Sequence, residues 1–184
     1  MLTVNFSPFP TLRTERLEIR KLVKGDEEDL FAIRSNKTLM RFIPRPLAQS
    51  AQDAALLIQG FSDAIRANES ITWGIALRSE PRVIGTIGFV RIFKEHYRAE
   101  VGYLLHPDFH GTGMMREALL ALVDYGFQGL KLHSIEAVVD PENTASAKLL
   151  ERSGFTKEGH FKENKYFNGR FMDSVYYTRW QPRK

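Results

Sequence analysis

Residues Tyr103 to Leu120 read Y-L-L-H-P-D-F-H-G-T-G-M-M-R-E-A-L-L, which predicts a strand end, a glycine loop and an amphipathic helix in succession. Gly111 and Gly113 have no side chains, so the backbone can curl until several N–H groups point at one spot. The helix that follows adds the positive end of its dipole at the same spot. The stretch therefore predicts a binding site for a phosphate-bearing ligand.

The flanking sequence predicts one mixed α/β sheet. Residues 98–105 alternate as a central strand, and residues 133–139 form a second β-rich run after the helix. A strand, helix and strand in this order give a right-handed crossover with two parallel strands. The buried side of the helix between them is predicted to carry Met115, Ala118, Leu119, Leu122 and Val123, and Gly129 is predicted to end it.

Capping and turn residues place the remaining elements. Asp26 and Ser50 are predicted to cap two helices upstream, and the prolines between residues 36 and 50 predict an irregular segment. Gly154 is predicted to end a short helix that begins after Asn143. Asn168-Gly169 is a strong signal for a final hairpin.

Composition sets the class of protein. The chain of 184 residues is expected to be a single domain, 1–184, with residues 1–10 as a loosely held N-terminal extension because Pro8 and Pro10 block regular structure. It has no cysteine, which excludes disulfides and thiolate metal sites and favours a cytoplasmic location. The sequence shows no signal-peptide pattern and no apolar run of membrane-spanning length, so neither a signal peptide nor a membrane span is expected. The net charge of +4 favours anionic ligands only weakly.

Three interpretations of the glycine loop compete. A nucleoside-triphosphate loop needs a lysine directly after its last glycine, and Met114 follows Gly113. A dinucleotide loop is disfavoured because Arg116 replaces the third glycine and Asp140 lies farther on than the usual ~20 residues. A tight turn with a helix cap and no ligand stays open for the two-glycine pattern taken alone.

The segment H-G-T-G-M-M, residues 110–115, resembles the acyl-coenzyme A loop of the GNAT acetyltransferase superfamily, whose usual form is Q/R-x-x-G-x-G/A. His110 replaces the usual Gln or Arg, and Met115 replaces the small last residue. Other segments resemble the ribosomal-protein N-terminal (serine/alanine) acetyltransferase subgroup in order: L-x-T-x-R-L at 12–17, A-E-V-G-Y at 99–103, N-x-x-S at 143–146 and N-G-x-x-x-D at 168–173. The resemblance covers roughly residues 11–180 and implies a GNAT fold: a central mixed sheet of about seven strands flanked by about four helices, with parallel strands splayed at the cofactor site.

The resemblance also implies acetyl-coenzyme A (acetyl-CoA) as the co-substrate. The loop backbone would hold the pyrophosphate, the pantetheine arm would lie along residues 104–106, and a backbone N–H there would serve the thioester oxygen. Arg116 and Lys148 are candidates to reach the nucleotide phosphates. The full set of cofactor-binding candidates is Leu104, Leu105, His106, His110, Gly111, Thr112, Gly113, Met114, Met115, Arg116, Asn143, Ser146 and Lys148.

The catalytic candidates are Glu100, Ser146 and Asn143. Glu100 is predicted as general base, directly or through water, because an acyl acceptor must lose its ammonium proton before attack. The alternative is a solvated carboxylate or an ion pair with Arg98 or Arg20. Gly102 beside it is expected to leave room for a ligand. Asn143 is predicted to cap a helix, and the resemblance implies that it contacts the cofactor or a bound water. The resemblance gives Ser146 the general-acid role toward the coenzyme sulfur; a solvent-facing serine is the alternative.

These features predict an acetyl-CoA-dependent N-acetyltransferase that works by direct attack of a primary amine. The subgroup favours the N-terminal α-amine of a ribosomal or other protein, and a polyamine or amino-sugar is the alternative acceptor. A non-catalytic acyl-CoA-binding regulatory module is the rival from another class. No metal site is expected, since Pro107 denies His106 and His110 a common helix. Neither membrane association nor direct nucleic-acid binding is expected, and the protein is predicted to be a monomer or homodimer.

Overall fold

The computed structural model describes residues 1–182 and contains one eight-stranded sheet in the order β1-β2-β3-β4-β5-β6-β8-β7. The strands are β1 (Leu12–Arg13), β2 (Leu17–Lys21), β3 (Ile71–Leu77), β4 (Glu80–Phe93), β5 (Arg98–Leu105), β6 (Ser134–Val139), β7 (Thr156–Phe167) and β8 (Arg170–Trp180). The α-helices are α1 (Glu27–Arg34), α2 (Lys37–Met40), α3 (Ala51–Arg66), α4 (Met114–Asp124) and α5 (Thr144–Arg152). The mixed α/β architecture is confirmed, with one strand and one helix more than expected.

Two hydrophobic cores lie against this sheet. The larger core contains the apolar face of α4, which consists of the five residues that helical spacing predicts. The smaller core joins Leu30 of α1 and Ile58 of α3 to Leu104 of β5. Leu105, the next residue of β5, belongs to the larger core, because successive side chains of a strand point to opposite faces. Strand β5 therefore contributes to both faces at the centre of the fold.

The parallel strands β5 and β6 pair only at their beginnings. Arg98 is opposite Ser134, and the last matched pair is Glu100 with Glu136. Residues 101–105 of β5 and 137–139 of β6 continue without pairing to each other. We call the space between these two segments the central gap. It confirms the expected splay of the parallel strands.

The two downstream glycine turns form as predicted. Asn168 and Gly169 both have positive φ angles, 47° and 78°, as a two-residue hairpin turn requires. Gly154 follows α5 with a φ of 80°. The helix ends at Gly129 as predicted, because a π-helical turn, Tyr125–Gly129, extends α4; the left-handed residue after it is Lys131.

The N-terminal segment is packed against the body of the protein, so the expectation that residues 1–10 are loosely held is wrong. Leu2, Val4 and Phe6 are buried in the larger core. The indole Nε1–H of Trp73 donates to the carbonyl of Pro10 at 2.6 Å. Proline blocks regular structure, but it does not prevent the alternating apolar residues before it from being buried.

Two further expectations upstream are corrected. Asp26 precedes α1 but its side chain caps nothing; instead its carboxylate accepts two hydrogen bonds from the guanidinium of Arg20, each 2.8 Å long. The segment between residues 36 and 50 is not wholly irregular, because α2 forms there with Asn36 as its cap. Ser50 caps α3 as predicted. Among residues 1–182, no helix is both long and apolar enough to cross a membrane.

Candidate active site

The glycine loop lies between the end of β5 and the first turn of α4. Gly111 and Gly113 have φ angles of +75° and +79°, which side-chain-bearing residues rarely adopt. A Cβ at Gly111 would meet nothing within 4 Å, so the loop has free space in front of it. The loop therefore has the backbone conformation that the sequence predicts.

The N–H groups of this loop are available to a ligand. Within residues 1–182, no intramolecular acceptor is found for the N–H groups of residues 111–116. The first turn of any helix leaves such donors, and the preceding glycines add more at the same place. Several unpaired donors beside the positive end of α4 form a cradle that fits a pyrophosphate.

His110 and Met115, the two residues that depart from the usual loop pattern, both lie outside the space in front of the loop. The ring Nε2–H of His110 donates to the carbonyl of Leu105 at 2.8 Å and so ties the loop to the end of β5. Met115 is buried in the larger core, so its bulk lies away from the front of the loop. Neither departure obstructs the cradle.

A brace from the N-terminal strands holds the loop. Arg16 donates through Nε to a carboxylate oxygen of Glu117 at 2.7 Å and through Nη1 to the carbonyl of Thr112 at 3.0 Å. Thr14 also hydrogen-bonds Glu117 at 2.5 Å. Burial opposes ionisation of Glu117, but these hydrogen bonds outweigh it and lower the pKa of its carboxyl group. Arg16 and Glu117 are site residues that loop motifs alone do not indicate.

The edge of β5 that faces the central gap offers backbone groups of its own. The N–H of His106 donates to the carbonyl of Ile84 at 2.8 Å, on the β4 side. Because backbone polar groups alternate between the two edges of a strand, the N–H of Leu105 points into the central gap. Of the predicted residues 104–106, Leu105 is therefore the one whose N–H is free for a ligand in the gap.

Glu100 stands where the central gap opens. It is opposite Glu136 on β6, and Glu136 is opposite Thr178 on β8, so these side chains form a row on one face of the sheet. Arg91 reaches Glu100 with a nitrogen–oxygen distance of 3.5 Å. The predicted partners Arg98 and Arg20 instead pair with Glu136 and Asp26.

Glu136 is a second carboxylate that sequence analysis missed. It is buried, and burial raises the pKa of its carboxyl group while the nearby Arg98 opposes that shift. Lys165 on β7 lies within electrostatic range of Glu100, and burial lowers the pKa of its ammonium group. The sequence did carry a signal for Glu136, because it is a glutamate in the middle of the mostly apolar strand S-I-E-A-V-V.

The space over Gly102 is occupied, so the expectation that Gly102 leaves room for a ligand is wrong. Strand β4 contains an irregularity between Phe89 and Arg91, which leaves Val90 without a partner on β5. A Cβ on Gly102 would lie 3.0 Å from Cγ1 of Val90. Gly102 instead allows Val90 to lie across β5 beside Glu100.

Asn143 and Ser146 adopt the local arrangement that their spacing predicts. The side-chain oxygen of Asn143 accepts a hydrogen bond from the N–H of Ser146 at 3.1 Å, which caps α5. Ser146 is 8% exposed, so it is not the solvent-facing serine of the alternative. Its hydroxyl lies 2.6 Å from the hydroxyl of Tyr103 on β5. Burial raises the pKa of Tyr103 to about 12, so this phenol stays protonated.

The two basic cofactor candidates differ in their surroundings. The Nε–H of Arg116 donates to the carbonyl of Arg152 at 3.1 Å and joins α4 to the end of α5. Lys148 is exposed on α5, two residues after Ser146. In the part of the chain that the structure describes, no His, Asp and Glu side chains are grouped as a metal ion would require.

Glu100 and Ser146 lie on opposite faces of the sheet at the central gap. Tyr103 packs against the larger core with the residues of β5 that face α4, and Ser146 meets it there. Glu100 alternates with these residues and faces the side of Leu104 and the smaller core. The gap thus separates a carboxylate on one face from a hydroxyl pair on the other.

Comparison with known proteins gives consistent matches. Residues 16–156 match the family model for the GNAT acetyltransferase domain. The uncharacterized N-acetyltransferase YoaA of Bacillus subtilis (strain 168) is 38% identical over 176 residues, which is 96% of this chain and 99% of that protein. A crystal structure of a GNAT-family acetyltransferase from Bacillus anthracis aligns with a TM-score of 0.84 at 30% identity, covering 93% and 98% of the two chains.

Two further solved structures are of acetyltransferases named for different acceptors. A spermidine N-acetyltransferase from Vibrio cholerae, in complex with CoA and spermine, has a TM-score of 0.79 at 26% identity and covers 91% of this chain and 97% of its own. The ribosomal L7/L12 α-N-protein acetyltransferase RimL, in complex with coenzyme A, has a TM-score of 0.84 at 23% identity and covers 93% and 98%. The latter match shows a shared fold.

Proposed function

The chain belongs to the GNAT acetyltransferase family, and from that premise we propose that it transfers the acetyl group of acetyl-CoA to the N-terminal α-amine of a protein, with a ribosomal protein as the first candidate. The observation that carries this proposal is the placement of Glu100 and Ser146 on opposite faces of the sheet at the central gap. An amine can approach from one face, and the leaving thiolate can be protonated from the other.

The loop residues 111–115 would hold the pyrophosphate through their unpaired N–H groups, and Arg116 on α4 and Lys148 on α5 would reach the nucleotide phosphates. Residues 104–106 would border the pantetheine arm in the central gap. When bound, acetyl-CoA supplies the acetyl thioester. The N–H of Leu105 is directed to the gap, where it can stabilise negative charge on a carbonyl oxygen.

Glu100 acts as the general base in this proposal. It accepts a proton from the acceptor ammonium group, directly or through water, and leaves a neutral amine that can attack the carbonyl carbon. Arg91 lies 3.5 Å away and orients the carboxylate without hydrogen-bonding it closely. A new C–N bond forms as the C–S bond breaks, so no covalent acyl-enzyme is needed. The nitrogen then releases its second proton to solvent, and the Ser146–Tyr103 pair regains from solvent the proton that the thiolate takes.

Ser146 acts as the general acid. Its hydroxyl donates a proton to the leaving thiolate, and the protonated phenol of Tyr103 can replace that proton across their 2.6 Å contact. Asn143 positions Ser146 by capping the helix that carries it. The amine and the thiolate thus exchange protons with groups on the two faces of the sheet.

Relatives of known acceptor include a spermidine and a ribosomal-protein acetyltransferase, so the acceptor is proposed from the site itself. A cleft between α2 with the loop after it and the tip of the β7–β8 hairpin lies on the same face of the sheet as Glu100 and is open to solvent, so it can hold a polypeptide that extends outward. Four of its lining residues are basic, which disfavours a polyamine. An amino-sugar remains the small-molecule candidate.

The test is incubation of the protein with acetyl-CoA and a panel of N-terminal peptides, spermidine and an aminoglycoside, with products identified by mass. We expect acetylation of peptide α-amines, and loss of it in the Glu100→Gln and Ser146→Ala variants. Transfer to spermidine or the aminoglycoside alone would overturn the proposed acceptor. Acetyl-CoA binding without transfer to any amine would favour the regulatory module instead.

A further inference from the structure

A cleft of about 300 Å³ lies between α2 with the loop after it and the tip of the β7–β8 hairpin. We call it the outer cleft. Its apolar lining consists of Met40, Ile43, Pro44, Leu47, Phe167 and Met172. Its polar lining consists of Lys37, Arg41, Arg45, Asn168 and Arg170. Of the lining residues in the described part of the chain, four are cations and none is an Asp or Glu.

These cations are poorly neutralised by the protein. Within residues 1–182, the one carboxylate within 4.0 Å of any of them is Glu142, whose oxygen lies 3.6 Å from Arg41. Both of those side chains are more than half exposed, so their attraction is weak. Lys37, Arg45 and Arg170 have no ion pair in the described chain. The outer cleft therefore presents uncompensated positive charge beside an apolar surface.

A half-buried arginine adds positive charge behind the cations of the outer cleft. Arg34, at the end of α1, has a buried Nε with no hydrogen-bond partner within residues 1–182. Burial lowers the pKa of its guanidinium group, and the charge of Arg45 lowers it further. Like charges that repel across a partly buried site are stabilised when an anion binds between or beside them.

The outer cleft lies on the same face of the sheet as Glu100. Met40 belongs to the smaller core with Leu104 of β5, the strand that also carries Glu100. Met172 of the hairpin is opposite Lys165, which lies within electrostatic range of Glu100. An extended ligand that lies along this face can therefore have an ammonium group at Glu100 and negative groups among the cations of the outer cleft.

We propose that the acceptor is a protein N-terminus whose next few residues are acidic, with the α-amine at Glu100 and the carboxylates in the outer cleft. The inference rests on the proposed function, and it further specifies that the acceptor peptide is negatively charged. The apolar residues of the cleft contact the methylene groups and any apolar side chain of the peptide. A polyamine lacks the negative groups that the arginines and lysine of the cleft would bind.

The test compares peptides of equal length that share an N-terminal serine and differ in residues 2–4, which are acidic, neutral or basic. We expect kcat/KM to be about tenfold higher for the acidic than for the neutral peptide, and lowest for the basic one. The preference should weaken as ionic strength rises, because salt screens exposed charges.

Matched variants test whether the outer cleft is the source of the preference for acidic peptides. Arg45→Gln and Arg170→Gln should each raise KM for the acidic peptide severalfold and leave KM for the neutral peptide nearly unchanged. Arg66→Gln is the control, since Arg66 is 75% exposed on α3 and absent from the lining of the cleft. Thermal unfolding of each variant confirms that it is folded.

The outcomes separate the two proposals. Equal kcat/KM for acidic, neutral and basic peptides would overturn the charge preference and leave the proposed function intact. Acetylation of spermidine with no transfer to any peptide would overturn both. A preference for the acidic peptide that survives unchanged in the Arg45→Gln and Arg170→Gln variants would exclude the outer cleft as its source.

Discussion

The hydroxyl groups of Tyr103 and Ser146 lie 2.6 Å apart although 43 residues separate them in the chain. One hydroxyl is on the central strand β5 and the other is in the first turn of α5. Ser146 is buried and Tyr103 is half-buried, and Tyr103 keeps its proton because burial raises its pKa to about 12. The pair can therefore hold a proton beside the central gap throughout the usual range of assay pH.

Removing the Ser146 hydroxyl should slow acetyl transfer more than it weakens cofactor binding. We expect Ser146→Ala to lower kcat by about 100-fold, the order that general acid catalysis contributes. Tyr103→Phe should lower kcat less, by about tenfold, since Ser146 keeps its own proton. Steady-state kinetics and calorimetric titration with coenzyme A check both effects. A kcat within twofold of wild type in Ser146→Ala would exclude it as the acid.

Local patterns predicted the parts of the site that one segment forms by itself. The glycine loop, the buried face of α4 and the Asn143–Ser146 cap depend on residues within a few positions of one another. Helical period and capping chemistry determine such features before any tertiary contact forms. They could therefore be predicted from the sequence alone.

Features that depend on strand register could not be predicted in this way. Glu136 becomes the neighbour of Glu100 because of the parallel pairing of β5 and β6, and a shift of one residue would move it to the other face. Asp26 is a good helix cap by residue type, yet the guanidinium of Arg20 binds its carboxylate instead. Pairing between distant segments decided both positions.

Neutralising Glu100 should remove the general base. We expect Glu100→Gln to lower kcat/KM by about 100-fold at neutral pH, with recovery as pH rises and more of the acceptor amine loses its proton unaided. Glu95→Gln is a matched control, because Glu95 is exposed in the turn between β4 and β5. A pH–rate profile of both variants provides the measurement. An unchanged profile in Glu100→Gln would contradict the role.

Adding a methyl group to the glycine loop should weaken cofactor binding. Gly111→Ala and Gly113→Ala each force an L side chain into a positive φ, which costs about 1 kcal/mol and disturbs the N–H cradle. Gly60→Ala is the opposite case, since Gly60 lies within α3 with open space around its Cβ, and alanine there should stabilise the helix by about 0.5–1 kcal/mol. Coenzyme A titration and thermal unfolding separate these effects. Unaltered affinity in both loop variants would mean that the cradle does not hold the cofactor.

Acid should loosen the brace between the N-terminal strands and the glycine loop. The pKa of Glu117 is lower in the folded protein than the value of about 4.3 in an unfolded chain, so its ionised form stabilises the fold above that pH. This stabilisation is lost as the pH falls through the lower, folded-state pKa.

Glu117→Gln should therefore lower the unfolding free energy at pH 7 by about 1 kcal/mol, and the difference from wild type should shrink below about pH 4. Because Arg16 also holds the carbonyl of Thr112, the same variant should weaken coenzyme A binding. Glu15→Gln, at an exposed neighbouring glutamate, is the matched control for thermal unfolding across this pH range. A stability difference that stayed constant from pH 7 to pH 3 would show that the Glu117 charge contributes nothing to the brace.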